Sequence, residues 1–177
     1  MTQKLALILL VSLAIPLSAQ RSDPSLSEKE IEELRDSAYI ANDRVMVFIK
    51  LIDTRVKAIQ DLYAHARRPG REQDTHDLME QLTSLADELN DNLDDYGPRH
   101  RDIRKSLPKL VEATERWATA IKSPPDDAAY NVSRKLALEA IRDLREESSQ
   151  LIDEQKSWFA AHPPSKENPA NADTAPR

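Results

Sequence analysis

Residues 91–102, DNLDDYGPRHRD, concentrate side chains that can transfer protons or bind metal ions. Catalysis or metal binding would require Asp94, Asp95 and His100 to converge on one concave site. The same residues also describe a charged corner between two helices, in which Gly97 takes a left-handed C-terminal cap and the next proline stops the helix. We interpret the stretch as a solvated helix corner.

A second candidate site consists of Glu72, His76 and Glu80, which are spaced by four residues and share one helical face. The leucines that follow define the core side of this helix, and His76 falls largely off that side. One histidine with two carboxylates on a solvent-facing surface is an incomplete ligand set. The pattern predicts at most a weak, incidental surface metal site.

Haem binding in a helical core would need axial ligands on facing helices. Met46 and Met79 flank core positions, but His65 and His162 lie at helix ends. The chain has no cysteine, which excludes disulfides, cysteine-ligated zinc and thioether-bound haem. The motifs HExxH, GxSxG and the phosphate-binding loop are absent. We therefore predict no catalytic residue, no metal site and no cofactor.

Four proline-containing breaks divide the chain into segments in which apolar residues recur at helical spacing. Ser27 and Glu30 have the spacing of a capping box at the start of the first helix. Asp126 or Asp127 can cap the fourth helix. The apolar stripe of the third segment continues through Pro108, which predicts one kinked helix there.

These segments predict an all-α protein, an up-down-up-down antiparallel four-helix bundle in residues 27–161. The first and fourth helices are long, at roughly 40 and 36 residues, against roughly 26 and 24 for the inner two. Because the free ends of the outer helices lie at the same pole, their surplus length predicts a two-helix overhang. The overhang defines a candidate interface for self-association or a partner, made of Ile31, Leu34, Leu151, Ile152, Trp158 and Phe159. In the alternative, these side chains fold back or the first helix bends.

The two ends of the chain differ from its middle. Residues 1–19 join Lys4, an apolar run of about 13 residues and small residues, the layout of a signal peptide. The run is shorter than the roughly 20 residues of a membrane-spanning helix, although an uncleaved anchor is the alternative. We expect 20–26 to be a flexible segment and 162–177 a disordered tail.

Charge and composition restrict the function further. The chain carries 25 Lys and Arg against 31 Asp and Glu, a net charge of −6, which argues against a general nucleic-acid binder. We expect a secreted or periplasmic, non-enzymatic bundle that acts by protein–protein contact, as a homodimer or with an unidentified partner, without stable membrane insertion after signal cleavage. The alternative is a bundle that binds a small ligand, metal or haem.

Overall fold

The computed structural model describes residues 26–163, which form five α-helices and no strand. The all-α prediction is confirmed, and the packing of the helices is that of a helical bundle. The predicted signal peptide, nearly all of the 20–26 segment and the tail from residue 164 lie outside the described residues. The helices are α1 (Glu28–Asp36), α2 (Ala41–Ala64), α3 (Arg71–Tyr96), α4 (Leu107–Lys122) and α5 (Asn131–Ala161).

The start of α1 follows the sequence prediction. The Ser27 hydroxyl accepts a hydrogen bond from the backbone N–H of Glu30 at 3.4 Å. In return, the Glu30 carboxylate accepts one from the Ser27 N–H at 2.8 Å. The capping box is therefore confirmed, and two of the N–H groups that a helix start leaves unpaired find partners.

The predicted long first helix is wrong, because a short 3-10 helix, Ser37–Tyr39, separates α1 from α2. The break is held by side chains, since the Ser37 hydroxyl and the Arg44 guanidinium both donate to the Leu34 carbonyl at 2.9 Å. From the break, α1 runs back along α2. Glu30 of α1 therefore reaches Arg55, and no overhang forms.

The four longer helices contact one another in a ring, in which α2 and α5 each pack against both α3 and α4. Asn42, in the first turn of α2, accepts a hydrogen bond from the backbone N–H of Ser106 beside the start of α4 at 3.0 Å. The starts of α2 and α4 therefore lie at one pole. His76 near the start of α3 contacts Ser133 near the start of α5 at 2.6 Å, which places these two starts together as well. The neighbours α2 and α4, and likewise α3 and α5, therefore run parallel and not antiparallel as predicted.

The connection between α3 and α4, residues 97–106, is longer than the sequence predicted. Helix α4 begins at Leu107 with Pro108 in its first turn, so the predicted kinked helix is wrong. Proline fits there because the N–H it lacks has no helical partner in a first turn. Buried Gln155 of α5 holds the connection, since its amide donates to the Arg101 carbonyl at 2.7 Å and accepts from the Ile103 N–H at 3.1 Å.

Two predicted caps also differ from the structure. Gly97 has a φ of −55°, and the left-handed residue of this corner is His100, with a φ of 51°. Helix α5 begins at Asn131 without a side-chain cap, and the Asp127 carbonyl accepts the Asn131 N–H at 2.9 Å. Asp127 therefore contributes its backbone to the turn before α5 and does not act as the predicted N-cap.

One hydrophobic core runs through the bundle and includes residues of all five helices. Its largest fully buried side chain is Trp117 of α4, whose indole N–H donates to the Asp53 carboxylate of α2 at 2.6 Å. Because buried polar groups are costly unless they are bonded, this hydrogen bond fixes the orientation of the ring. The core thus leaves few large apolar side chains for the surface.

Candidate functional site

Two pairs of large apolar side chains remain exposed at opposite poles. Tyr39 and Ile40, which we call the corner patch, lie where α2 begins, and Tyr39 is 84 % exposed. Val132 and Leu136, the α5 patch, lie where α5 begins and are 72 % and 50 % exposed. Isolated exposed apolar residues are common, whereas adjacent ones make these two pairs the candidate contact surfaces of the described residues.

The α5 patch owes its position to helix geometry. Val132 and Leu136 are four residues apart and therefore lie one above the other on one side of α5. The core side of the same helix is formed by residues such as Ala137, Ile141 and Leu144, which are fully or nearly fully buried. Val132 and Leu136 fall outside this buried stripe, so the rest of the bundle does not cover them.

An open cleft of about 500 Å³ lies between α3 and α5 next to the α5 patch. We call it the acidic cleft, because four carboxylates and three hydroxyl groups line it together with Leu136. The lining residues are Glu80, Thr83, Ser84, Asp87, Glu88, Asp91, Ser133 and Leu136.

The cleft has a strongly negative environment because α3 carries nine Asp and Glu residues against a single arginine, Arg71. Burial raises the pKa of Asp87, and the neighbouring Asp91 and Asp143 carboxylates raise it further. Burial likewise raises the pKa of Glu147, again with neighbouring carboxylates adding to the effect. A cation placed in this region would reduce the repulsion among these groups.

A serine, a histidine and a glutamate lie in line at the edge of the acidic cleft. The Ser133 hydroxyl is 2.6 Å from His76 Nδ1, and His76 Nε2 is 3.2 Å from Glu80 Oε1. A nucleophile, a base and an orienting carboxylate have this order in acyl-transfer enzymes. Ser133, however, is only 2 % exposed, so its hydroxyl joins α5 to α3 and is nearly closed to solvent although the residue borders the cleft.

At the opposite pole, Trp158 stacks with two histidine rings. The ring centroids of His100 and Trp158 are 4.2 Å apart, and those of His162 and Trp158 are 4.5 Å apart. A cleft of about 390 Å³ borders this histidine–tryptophan stack and is also lined by Leu151 and Gly97. His100, which has the left-handed backbone described above, gains this stacking contact with Trp158.

The predicted interface residues are not exposed as one surface. Leu34 and Leu151 are in the hydrophobic core, and Phe159 is buried beneath the Arg104 guanidinium at 4.0 Å. Ile152 packs partly against the core and Trp158 is half-buried. Ile31 is exposed on α1. The bend after α1 separates the residues that the overhang would have joined.

The predicted corner of residues 91–102 does not form a catalytic group in the structure. Asp95 pairs with Arg99 at 3.0 Å, and Asp102 pairs with Arg104 at 2.7 Å. The Arg104 guanidinium lowers the pKa of the Asp102 carboxyl through these hydrogen bonds. His100 turns away to Trp158.

The other chemical candidates are dispersed. Glu72 pairs with Arg67 and Arg71 and not with His76, and no cluster of three or more potential metal ligands occurs within residues 26–163. His65 and His162 are exposed at helix ends, where each contacts a carbonyl of its own helix. Among the described helices, none is both long and apolar enough to cross a membrane.

The fold and the surface define a class, a helical bundle with an exposed apolar pair near each end and an acidic cleft along α3. The chain matches no protein-family model, and neither curated proteins nor solved structures show significant similarity to it.

Neither the α5 patch nor the acidic cleft was predicted from the sequence. Val132 and Leu136 are apolar residues four apart that do not belong to the core stripe, and this was the available signal. The accumulation of carboxylates on α3 was a second signal. The α5 patch and the α3 carboxylates lie next to each other because α3 and α5 pack side by side, and the sequence pattern does not predict this packing.

Proposed function

We propose that this protein is an exported, non-enzymatic helical bundle that works by contact with another protein chain. The observation that carries the proposal is the pair of exposed apolar patches at opposite poles, the corner patch and the α5 patch. Each combines apolar side chains with charged surroundings, as contact surfaces between proteins do. The signal-peptide pattern of residues 1–19 supports export to a secreted or periplasmic location.

The scaffold of this proposal is an up-down-up-down bundle of α2, α3, α4 and α5. Support comes from the hydrogen bonds that join the start of α2 to the start of α4 and from the contact that joins α3 to α5 in the same manner. The connection of residues 97–106 then crosses the end of the bundle diagonally. Such a rigid body keeps the two patches roughly 40 Å apart, which is the length of α3 at 1.5 Å per residue.

The corner patch continues into the predicted interface through a chain of contacts. Arg101 donates to the Tyr39 carbonyl at 3.0 Å, and the next residue toward the N-terminus, His100, stacks on Trp158. Tyr39 therefore replaces Phe159 as the aromatic centre of the proposed surface at this pole. Tyrosine suits this role because its ring supplies apolar area with little loss of side-chain freedom.

The proposal is tested by site-specific photo-crosslinking in the protein's own host. A benzophenone amino acid replaces Tyr39 in one variant, Leu136 in a second and Glu112 of α4, whose side chain is 74 % exposed, in a control. We expect a discrete adduct from position 39 or 136 and none from 112. Native mass spectrometry of the purified protein then separates a homodimer from a complex with another protein. Equal, diffuse labelling at all three positions contradicts the proposal.

A ligand-binding function is the second candidate, and the 390 Å³ cleft beside Trp158 favours it. The size lies in the range of small-molecule pockets, and Leu151 and Trp158 supply apolar lining. Native mass spectrometry decides between the two functions. A monomer that retains extra mass favours the ligand function, and a bare dimer or a protein complex favours contact.

A further inference from the structure

We infer that the α5 patch and the acidic cleft together form a docking surface for a basic, amphipathic segment of a partner protein. The inference rests on the proposed contact function and names the chemistry of the partner at one of its two surfaces. Val132 and Leu136 present adjacent apolar side chains on α5, and the carboxylates of α3 begin directly beside them. An apolar centre with carboxylates along its α3 border favours a partner that places positive charge on that side of its apolar residues.

The arrangement of the carboxylates supports a cationic occupant. Asp87 and Asp91 are four residues apart on α3, and the structure gives neither of them an ion pair among the described residues. Their mutual repulsion, which Asp143 of α5 increases, is present in the free protein. Lysine or arginine side chains of a partner would relieve it and would add attraction over the approach to the surface.

A second copy of this chain is a poor occupant. At the corner between α2 and α3, Arg67, Arg68 and Arg71 already pair with carboxylates of their own chain. In its other basic stretch, residues 99–105, Arg99 and Arg104 pair with Asp95 and Asp102, and Arg101 donates to the Tyr39 carbonyl. The shallow cleft at the corner between α2 and α3 has no large apolar side chain to place against Leu136. The partner is therefore a different chain, with lysines or arginines spaced around leucine-like residues, as on a basic amphipathic helix.

The probe is a fluorescein-labelled peptide of lysine and leucine whose leucines recur at helical spacing. A second peptide has the same composition in an order that gives no apolar face, and a third has glutamate in place of lysine. Fluorescence anisotropy measures the dissociation constant with the purified mature protein at about 50 mM and about 300 mM salt. We expect the amphipathic basic peptide to bind at least about tenfold more tightly than the reordered one, and the acidic peptide not to bind.

Two double variants test the two halves of the surface. D87N/D91N removes charge, and we expect about a tenfold weaker affinity at low salt together with a smaller salt dependence. V132Q/L136Q removes apolar surface while retaining good helix formers, and we expect binding about five- to tenfold weaker with an unchanged salt dependence. The matched control is E28Q/E32Q, which removes two exposed carboxylates four residues apart on α1. We expect it to bind like the parent protein.

The outcomes separate the inference from the proposed function. Equal binding of the two basic peptides, or an equal loss in E28Q/E32Q and D87N/D91N, shows non-specific charge attraction and overturns the inference. Unchanged binding in V132Q/L136Q also overturns it. If the inference fails while crosslinks still form at Tyr39, contact occurs at the corner patch and the proposed function stands. If crosslinks are absent from both patches, the proposed function fails as well.

Discussion

The ion pair between Glu30 and Arg55 holds α1 against α2, and its removal gives the sharpest test of the fold. Arg55 is almost fully buried, and its guanidinium donates to both oxygens of the Glu30 carboxylate. These hydrogen bonds lower the pKa of Glu30 to about 2, from an ordinary value of 4.5. The substitution Glu30→Gln keeps the shape of the side chain and, with its amide oxygen toward Ser27, the capping box. It removes the negative charge and replaces one of the two oxygens that accept from Arg55 with a donor.

The magnitude follows from the pKa. A carboxyl that titrates near 2 when folded and near 4.5 when unfolded stabilises the folded chain by at most about 3 kcal/mol at neutral pH. Because Glu30 retains some contact with water, we expect a loss of about 1–2 kcal/mol in Glu30→Gln. The pKa is lowered on folding, so this contribution is complete above about pH 4.5 and disappears as the pH falls toward 2.

The assay is urea unfolding of the parent and the variant at several pH values from 7 to 3, followed by circular dichroism. The control, Glu33→Gln, removes a carboxylate of the same helix that pairs with the exposed Lys50 at 2.5 Å. We expect this exposed pair to contribute no more than about 0.5 kcal/mol. Equal losses in the two variants, or a Glu30→Gln effect that does not shrink between pH 7 and pH 3, would refute the reasoning.

Three further substitutions test the other contacts. Gly97→Ala places a Cβ 2.9 Å from a methyl group of buried Leu151 and should lower the free energy of unfolding by about 1 kcal/mol. In a double-mutant cycle, Leu151→Ala should relieve part of this cost. Ser133→Ala should cost about 1 kcal/mol through the lost bond to His76, and a fluorophosphonate probe should leave the parent protein unlabelled by intact mass, because the hydroxyl is buried. Trp158→Leu should lower the stability by about 1 kcal/mol and move the NMR signals of the stacked histidine ring protons downfield as the indole ring current is lost.

The helices were predictable from the sequence where local signals decide. The capping box of Ser27 and the proline–glycine break at residues 69–70 bound helices that the structure contains. The break after Asp36 has no glycine or proline. Hydrogen bonds from Ser37 and Arg44 to the Leu34 carbonyl stabilise it. Such tertiary hydrogen bonds cannot be predicted from the periodic apolar pattern, because that pattern continues through the break.

The candidate surface was less predictable for a related reason. The six predicted interface residues were predicted to be exposed because the outer helices were expected to extend beyond the inner ones. The break between α1 and α2 removes that overhang, so the six residues do not form one exposed surface. Tyr39 became exposed through the same bend. The composition of α3 indicates an acidic surface. The position of this surface beside Val132 and Leu136 depends on the packing of two helices that are far apart in the sequence.

The order in which helices contact one another also has a consequence for how the chain folds. Helices α2 and α3 pack as sequence neighbours, and so do α4 and α5, whereas the contacts of α3 with α5 and of α2 with α4 join these two hairpins. Each hairpin closes a short loop and should therefore form early, and the docking of the hairpins should complete the transition state. The connection of residues 97–106 sets the effective concentration of one hairpin at the other, so lengthening it should slow folding while leaving the unfolding rate nearly unchanged.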